Sequence, residues 1–346
     1  MRDWCPQQES LENIFKLCLK ESLDLFGKRI LVVGRNGFIS NWIIHYIDFL
    51  NRLLGAEVDV STFSFERLHH VEISQITECK HYLHTVRFTK FEELRNKGKY
   101  FDVVLYAATP TTRISKEQYQ DLYNKSRSLY TFLSEEIMTS LIIHLSSGVV
   151  YDSSKIGFRP FKETDQTNPI PIEYDYLYSK LMLEEDTRNL AKKMNAKFVN
   201  LRLFAFLGPG LNLDSEFAAA NFINDALKGR PIKVRNPGTI RSYMHPADLV
   251  SYIVKIMADP IPDIVNIGSD EIIDMKNLAT CIAMEFDSNI EILDSNLIAN
   301  YYVPDLNRLH SNYGNNKMFD LKGAIRDWVV QISQNSMREP MEEDSV

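Results

Sequence analysis

An α/β architecture built on a parallel, doubly wound sheet is what this chain predicts, and three observations predict it. Ile30-Leu-Val-Val33 is a short apolar run of β-branched character, as expected of a strand buried on both faces. A glycine turn, Gly34-Arg35-Asn36-Gly37, follows at once and opens a run in which Trp42, Ile43, Ile44, Tyr46, Ile47, Phe49 and Leu50 fall largely on one helical face. Further apolar runs alternate with stretches of helical periodicity, the pattern of strands joined by helical crossovers.

In chain order, residues 9–25 read as an amphipathic helix with Leu11, Ile14, Phe15, Leu17 and Cys18 apolar, packed on the sheet or on a partner chain. A second strand is expected over 56–64, a third around 84–88, a fourth over 101–108, a fifth over 141–145 and a sixth over 198–203, with helices over 118–138 and 174–194. Right-handed crossovers bring the C-terminal ends of these strands to one side, where ligands bind. The expected organisation is a helical extension (1–27), a main domain built on the parallel sheet (28–206, with strands of 240–266 returning to it) and a discontinuous smaller lobe (207–334). An acidic tail, 335–346, lacks periodicity and is expected to be disordered.

With 346 residues, 45% of them hydrophobic and 25% charged, the chain can bury a large core. A net charge of −7 favours neither nucleic acid nor an anionic membrane as a partner. Cys5, Cys18, Cys79 and Cys281 lie far apart, without metal-ligand or redox spacing, as reduced thiols of a cytoplasmic protein would. The N-terminus has no apolar leader and no window approaches the ~18 apolar residues of a membrane span. His69, His70, His81 and His84 read as surface residues, and His144 as structural; His245 is structural or near a nucleotide. No metal site is expected.

Chemistry concentrates in three places. In the glycine turn, Gly34, Arg35, Asn36, Gly37, Phe38 and Ile39 would let the backbone approach a pyrophosphate, with Ser40 following. The free N–H groups and partial positive charge of a helix N-terminus complete that site. In Tyr176-Leu-Tyr-Ser-Lys180, residues four apart share one helical face, so phenol and ammonium converge. The lysine, with a cationic nicotinamide beside it, is expected to bring the phenol's pKa, ordinarily about 10, toward working range. Ser147 ends the fifth strand, 29 residues before Tyr176, and its hydroxyl can bond a substrate oxygen beside the phenol.

With these three motifs in this order, the chain resembles the extended short-chain dehydrogenase/reductase family, the nucleotide-sugar epimerases, dehydratases and reductases, from about residue 28 to 330. Ala107-Ala108-Thr109, Asn124, Arg202-Leu-Phe-Ala-Phe-Leu-Gly-Pro209, Arg241-Ser-Tyr-Met-His-Pro-Ala-Asp248 and Val303-Pro-Asp-Leu-Asn-Arg308 add to it. The resemblance implies a Rossmann-type sheet and a catalytic set of Ser147, Tyr176 and Lys180. Tyr176 would exchange a proton with the sugar while nicotinamide exchanges the hydride; Lys180 would also hold the nicotinamide ribose. It further implies cofactor contacts at Ala107, Ala108, Thr109 and Asn124, and substrate contacts at Thr109, Ser147, Asn221, Arg241 and Arg308. Residues 208–215 would line the sugar pocket. An ion pair with Asp248 is the alternative role for Arg241.

Departures from the family select among its reactions. Dehydratases carry an Asp-Glu pair just after the strand-five hydroxyl, and decarboxylases a glutamate; here Gly148 and Val149 stand there. Ala205 replaces a common substrate-binding asparagine. At the end of strand two, where NAD-preferring relatives carry an acid, stands Thr62, with Ser61 and Ser64 beside it. Arg35 and Arg67 are candidates for a 2′-phosphate, which favours NADP(H) over NAD(H); Asp59 would restore the acid if the strand register shifted. The implied activity is hydride transfer at hexose C4, as a 4-ketoreductase of a nucleoside-diphosphate 4-keto-deoxysugar. An NAD-dependent 4-epimerase is the alternative, with a 4,6-dehydratase, a decarboxylase or a non-catalytic dinucleotide-binding protein behind it. A homodimer joined through the helices at 118–138 and 174–194, working in deoxysugar and surface-polysaccharide assembly, completes what the resemblance implies.

Overall fold

Two short helices, α1 (Gln8–Leu17) and α2 (Leu19–Leu23), precede the first strand in the computed structural model. It describes residues 4–34, 37–63, 87–88, 100–108, 115–171, 175–261, 263–293 and 298–336. The single helix expected over 9–25 breaks at Cys18, whose backbone (φ −134°, ψ 42°) leaves the helical region and whose thiol donates back to Ile14 O at 3.0 Å.

The main body follows as β1 (Arg29–Val33), α3 (Phe38–Leu54), β2 (Asp59–Phe63), β3 (Arg87–Phe88), β4 (Tyr100–Tyr106), α4 (Lys116–Glu136) and β5 (Met138–Ser147). After a 3₁₀ turn at Gly148–Val150 come α5 (Ser153–Ile156), α6 (Tyr176–Lys193) and β6 (Lys197–Leu203). The remainder is β7 (Ala205–Phe206), α7 (Ala218–Leu227), β8 (Ile232–Val234), β9 (Ile240–Met244), α8 (Pro246–Ala258), β10 (Asp263–Ile267), β11 (Ile272–Asp274), α9 (Met275–Phe286), β12 (Ile290–Ile292), β13 (Tyr301–Tyr302), α10 (Asn307–Tyr313) and α11 (Leu321–Ser336).

Among the described residues, seven strands form one sheet in the order β3-β2-β1-β4-β5-β6-β10, and every pairing is parallel. The period-two alternation of a strand sorts β1 between two cores. Ile30 and Val32 join α3 and α8 on one face, and Leu31 and Val33 join α4 and α6 on the other. Both faces being covered is why the strand reads as an unbroken apolar run. The termini of the flanking helices are set by local chemistry. Gly55 ends α3 in the left-handed region (φ 61°), Ser115 and Gln118 form a reciprocal capping box on α4, and Asp175 caps α6 by accepting from Tyr178 N at 2.7 Å.

A smaller lobe holds the remaining strands. β9 pairs antiparallel with β11 and parallel with β13 and β7, while β8 pairs with β12. Its core gathers Leu207, Phe222, Ile223, Tyr243, Leu278, Ile282 and Trp328. The segment 240–266, expected to return whole to the main sheet, divides. β9 stays in the lobe with Tyr243, whereas Ile253 and Ile256 of α8 and Val265 and Ile267 of β10 bury in the main core. Leu309 of α10 also returns to that core, and α11 runs to Ser336. Residues 337–346 of the expected tail, and residues 84–86 ahead of β3, lie outside the described residues.

The N-terminal extension docks on α8 and α3 rather than on the sheet, with Leu11, Ile14 and Cys18 buried in the main core. Trp4 packs on Trp42 at a tilt, 5.0 Å between ring centres, and fills the space over Gly210, where a Cβ would lie 2.7 Å from the indole.

Candidate active site

All the described sequence-predicted catalytic residues lie at the C-terminal edge of the parallel sheet. At the end of β1, Gly34 has φ +95°, and a Cβ there would sit 2.5 Å from Ala108 N and 2.6 Å from its Cα. Only glycine lets the turn pass that close to the end of β4. Gly37 caps α3 without a side-chain hydrogen bond, so the first N–H groups of that helix remain available. Around this cradle, Ser40 Oγ, Ser61 Oγ and Thr62 Oγ1 are buried and have no partner among the described residues. Unsatisfied buried hydroxyls cost about 1–3 kcal/mol each; Ser40, in the first turn of α3, and Thr62, near the end of β2, are the two placed toward a polar group at the glycine turn, while Ser61 faces the other side of the sheet. Gly34→Ala should lower stability by at least ~1–3 kcal/mol from the backbone conformation alone and abolish dinucleotide binding. Denaturant midpoints and dinucleotide titration check this; an unchanged midpoint would contradict the close approach.

Register places Thr62 opposite Val32 at the ligand end of β2, while Asp59 lies opposite Arg29 at the far end and pairs with its guanidinium at 3.6 Å. Asp59 is therefore not an acid for the cofactor ribose. Phe38, Ile39, Ala107 and Ala108 flank the cradle, with Ala107 N donating to Val33 O at 2.8 Å. Arg35, Asn36, Ser64, Arg67 and Thr109, and the histidines at 69, 70, 81 and 84, lie outside the described residues. Asn124 is exposed: α4 turns Tyr119, Tyr123, Ser126 and Tyr130 inward, and the residue after Tyr123 is rotated about 100° away.

Ser147 closes β5, and its Oγ accepts from Val149 N at 3.3 Å. Tyr176 is the first residue of α6; burial around its hydroxyl pushes the phenol up to about 12, opposed by a hydrogen bond with Ser147. Lys180, one turn on, is buried, donates to Leu145 O at 3.1 Å and lies 5.6 Å from the Tyr176 ring centre. Burial brings its amine down to about 7, with Glu184 pulling the other way. Desolvation governs both groups in this structure and favours the neutral form of each, so the lysine by itself does not lower the phenol.

Two neighbours of this set were not singled out from sequence. Glu184, one further turn along α6, makes a two-pronged ion pair with Arg202 (Nε–Oε1 3.1 Å, Nη2–Oε2 2.8 Å) and accepts from Ser146 Oγ. Burial alone would raise its carboxyl; Arg202 and Ser146 hold it lowered. The i+4 spacing from Lys180 was the available signal. The other neighbour, Tyr302, reaches in from β13 with Oη 3.5 Å from Ser147 Oγ, and no sequence pattern marks it. A Cβ on Gly148 would meet the Phe204 ring at 2.7 Å and Tyr302 Oη at 2.8 Å.

Of the substrate candidates, Arg241 lies over the Tyr302 ring at 5.4 Å and donates to Asn300 Oδ1 at 2.6 Å. It does not pair with Asp248, whose carboxylate accepts from Met318 N (2.6 Å) and Phe319 N (3.4 Å). Asn221 is exposed on α7, and the charge of Arg308 opposes the rise that burial gives the Glu163 carboxyl. Within 208–215, Gly210 faces Trp4, and Pro209 O accepts from Trp42 Nε1 at 3.0 Å, so this stretch packs on the extension. Ala205 pairs with Tyr243 in the smaller sheet. His144 is buried, brought down to about 4 by burial and bonded to Asn200 Oδ1 at 2.8 Å; His245 caps α8 and contacts Asp327. Neither reaches Tyr176 by any described contact. Among the described residues no cluster of His, Cys, Asp and Glu could hold a metal, and no helix is long and apolar enough to cross a membrane.

Residues 30–268 match the model of the NAD dependent epimerase/dehydratase family. The chain is 28% identical to UDP-glucuronic acid decarboxylase 3 of Arabidopsis thaliana over 152 residues, 44% of this chain and only 44% of that protein's length. It is 24% identical to a dTDP-4-dehydro-6-deoxyglucose reductase of Escherichia coli over 324 residues, covering 88% of this chain and 93% of that one. Among solved structures, a UDP-N-acetylglucosamine 4-epimerase of Methanobrevibacter ruminantium superposes with a TM-score of 0.71 at 18% identity, over 89% of this chain and 99% of the other.

Proposed function

We propose a reaction for this chain from one premise: it belongs to the NAD dependent epimerase/dehydratase family. The reaction is reduction of the C4 ketone of a nucleoside-diphosphate 4-keto-6-deoxyhexose, with NADPH as the preferred donor. The observation that carries it is at Gly148, where Phe204 and Tyr302 fill the space a side chain would need. Elimination or decarboxylation calls for a further carboxylate just after the strand-five hydroxyl; Gly148 has no room for a side chain, and Val149, the next position, carries no carboxylate. What remains is chemistry that needs one proton and two electrons. The similarity to the Escherichia coli reductase over nearly the whole chain supports the same reading.

The glycine cradle and the buried hydroxyls of Ser40 and Thr62 fit a dinucleotide. Gly34, Gly37, Phe38 and Ile39 would hold its pyrophosphate against α3, Thr62 its adenosine ribose and Lys180 its nicotinamide ribose. When bound, the nicotinamide supplies the two electrons. Tyr176 supplies the proton: at about 12 its phenol is almost wholly protonated at neutral pH, the form a reductase needs to protonate a developing alkoxide. Ser147 donates a hydrogen bond to the same sugar oxygen, and Arg241 offers a cation to the substrate diphosphate. With no carboxylate at the described end of β2, and Asp59 engaged with Arg29, the 2′-phosphorylated cofactor is preferred.

The test is to supply dTDP-4-keto-6-deoxyglucose with NADPH or NADH and follow the cofactor's absorbance and the sugar product. Stoichiometric oxidation, faster with NADPH, is expected. Interconversion of nucleoside-diphosphate hexoses with no net cofactor consumption would replace this reading with a 4-epimerase.

A further inference from the structure

Tyr302 is a second phenol beside the catalytic serine, and the reaction above leaves it unused. We infer that Tyr302 is a positioning residue: its phenol donates to Ser147 Oγ and so frees the serine's single proton for the substrate oxygen. The inference rests on the reductase reading of this site and adds the group that sets the direction of the serine's hydrogen bond.

Donor and acceptor counting carries it. A hydroxyl has one proton and two lone pairs. Ser147 Oγ accepts from Val149 N at 3.3 Å and lies 3.5 Å from Tyr302 Oη. Tyr302 Oη has a second acceptor in reach, Leu203 O at 3.4 Å. If the phenol donates to Leu203 O, one serine lone pair goes unfilled and the phenol oxygen competes with a substrate for the serine proton. If it donates to Ser147, it and Val149 N fill both serine lone pairs, and the serine proton, directed at the Tyr176 phenol in this structure, is the one that passes to a ketone oxygen bound beside Tyr176. Both contacts are long for hydroxyl groups, the condition from which catalytic hydrogen bonds tighten in a complex.

The surroundings hold the phenol in place. Its ring lies 4.6 Å from Phe204 and 5.9 Å from Phe161, and the next residue, Val303, accepts from Phe161 N at 2.8 Å. Gly148 completes the arrangement, since any Cβ there would displace Oη. Burial keeps the phenol protonated, as a donor must be. The Arg241 guanidinium over the ring places the proposed diphosphate cation one contact away from the serine's orienting group.

Kinetics on the full chain with NADPH and dTDP-4-keto-6-deoxyglucose test it. Tyr302→Phe should lower kcat about ten- to thirtyfold and leave KM within about threefold. The double variant Ser147→Ala/Tyr302→Phe should be no slower than Ser147→Ala alone, because the phenol acts through the serine. Losses that multiply in the double variant would overturn the inference, as would a Tyr302→Phe enzyme of unaltered kcat. A second readout needs no turnover: in protein labelled with carbon-13 at the tyrosine ζ position, Ser147→Ala should shift the Tyr302 resonance, assigned from Tyr302→Phe. A Tyr302 resonance unmoved by Ser147→Ala overturns the inference. A wild-type chain that fails to reduce the keto sugar sinks the reductase reading instead, and the resonance still decides whether Tyr302 engages the serine.

Discussion

Tyr176→Phe is expected to lower turnover about 10²- to 10⁴-fold, the span assigned to a positioned general acid. Dinucleotide affinity should stay close to that of the parent, since no described contact joins the phenol to the glycine cradle. Stability should change by no more than about 1 kcal/mol, because the substitution deletes one hydroxyl whose partner is the half-exposed Ser147. Steady-state kinetics with an independent dinucleotide titration separate these effects. Turnover within about tenfold of the parent would remove the phenol as the proton donor, whatever the fate of the fold.

Lys180→Met should have opposite effects on activity and stability. The amine is buried with Leu145 O as its hydrogen-bond acceptor, and burial lowers it from 10.5 to about 7. Below pH 7 both the folded and the unfolded chain hold the proton, and the folded chain carries the full cost of a buried cation. Between about 7 and 10.5 the unfolded chain keeps its proton while the folded chain has released it, so stability rises with pH across that window. The cost at the acidic end is on the order of 5 kcal/mol, less about 1 kcal/mol for the hydrogen bond that methionine forfeits. The variant should therefore unfold at higher denaturant than the parent near pH 7, with the margin shrinking toward pH 10. It should also lose most of its activity. A variant less stable than the parent at pH 7 would show that the Leu145 and Glu184 contacts, rather than desolvation, dominate at this lysine.

How far the sequence could be read depended on the distance over which each feature is encoded. The strands that are apolar on both faces, such as Ile30–Val33 and Leu141–Leu145, declared a two-sided sheet because burial on both faces leaves no polar alternation. Tyr176 and Lys180 could be placed on one face because four residues along a helix is a local rule. Ser147 beside Tyr302 is a contact across 155 residues, and nothing local encodes it. Glu184 had a local signal, but its meaning depends on Arg202 arriving from β6. The lowered amine of Lys180 could not be read from spacing for a related reason: spacing reveals a neighbouring charge, whereas desolvation depends on everything packed around the site. Assigning 240–266 as a unit failed because a short strand such as β9 carries no mark of which sheet will accept it.

The path of the chain between the two lobes has a consequence for how the molecule comes apart. The edge strand β10 and helix α8 reach the main sheet only after the chain has traversed β7 to β9, and α10 returns once more after β11 to β13. Trp4, Trp42 and Pro209 tie the first turns of the molecule to the smaller lobe's entrance, and Gln331 on the last helix accepts from the Trp4 indole. Neither lobe is a contiguous stretch that could be cut free, so heat should melt both in one cooperative transition, and a fragment ending before β10 should lack the partner that completes its sheet.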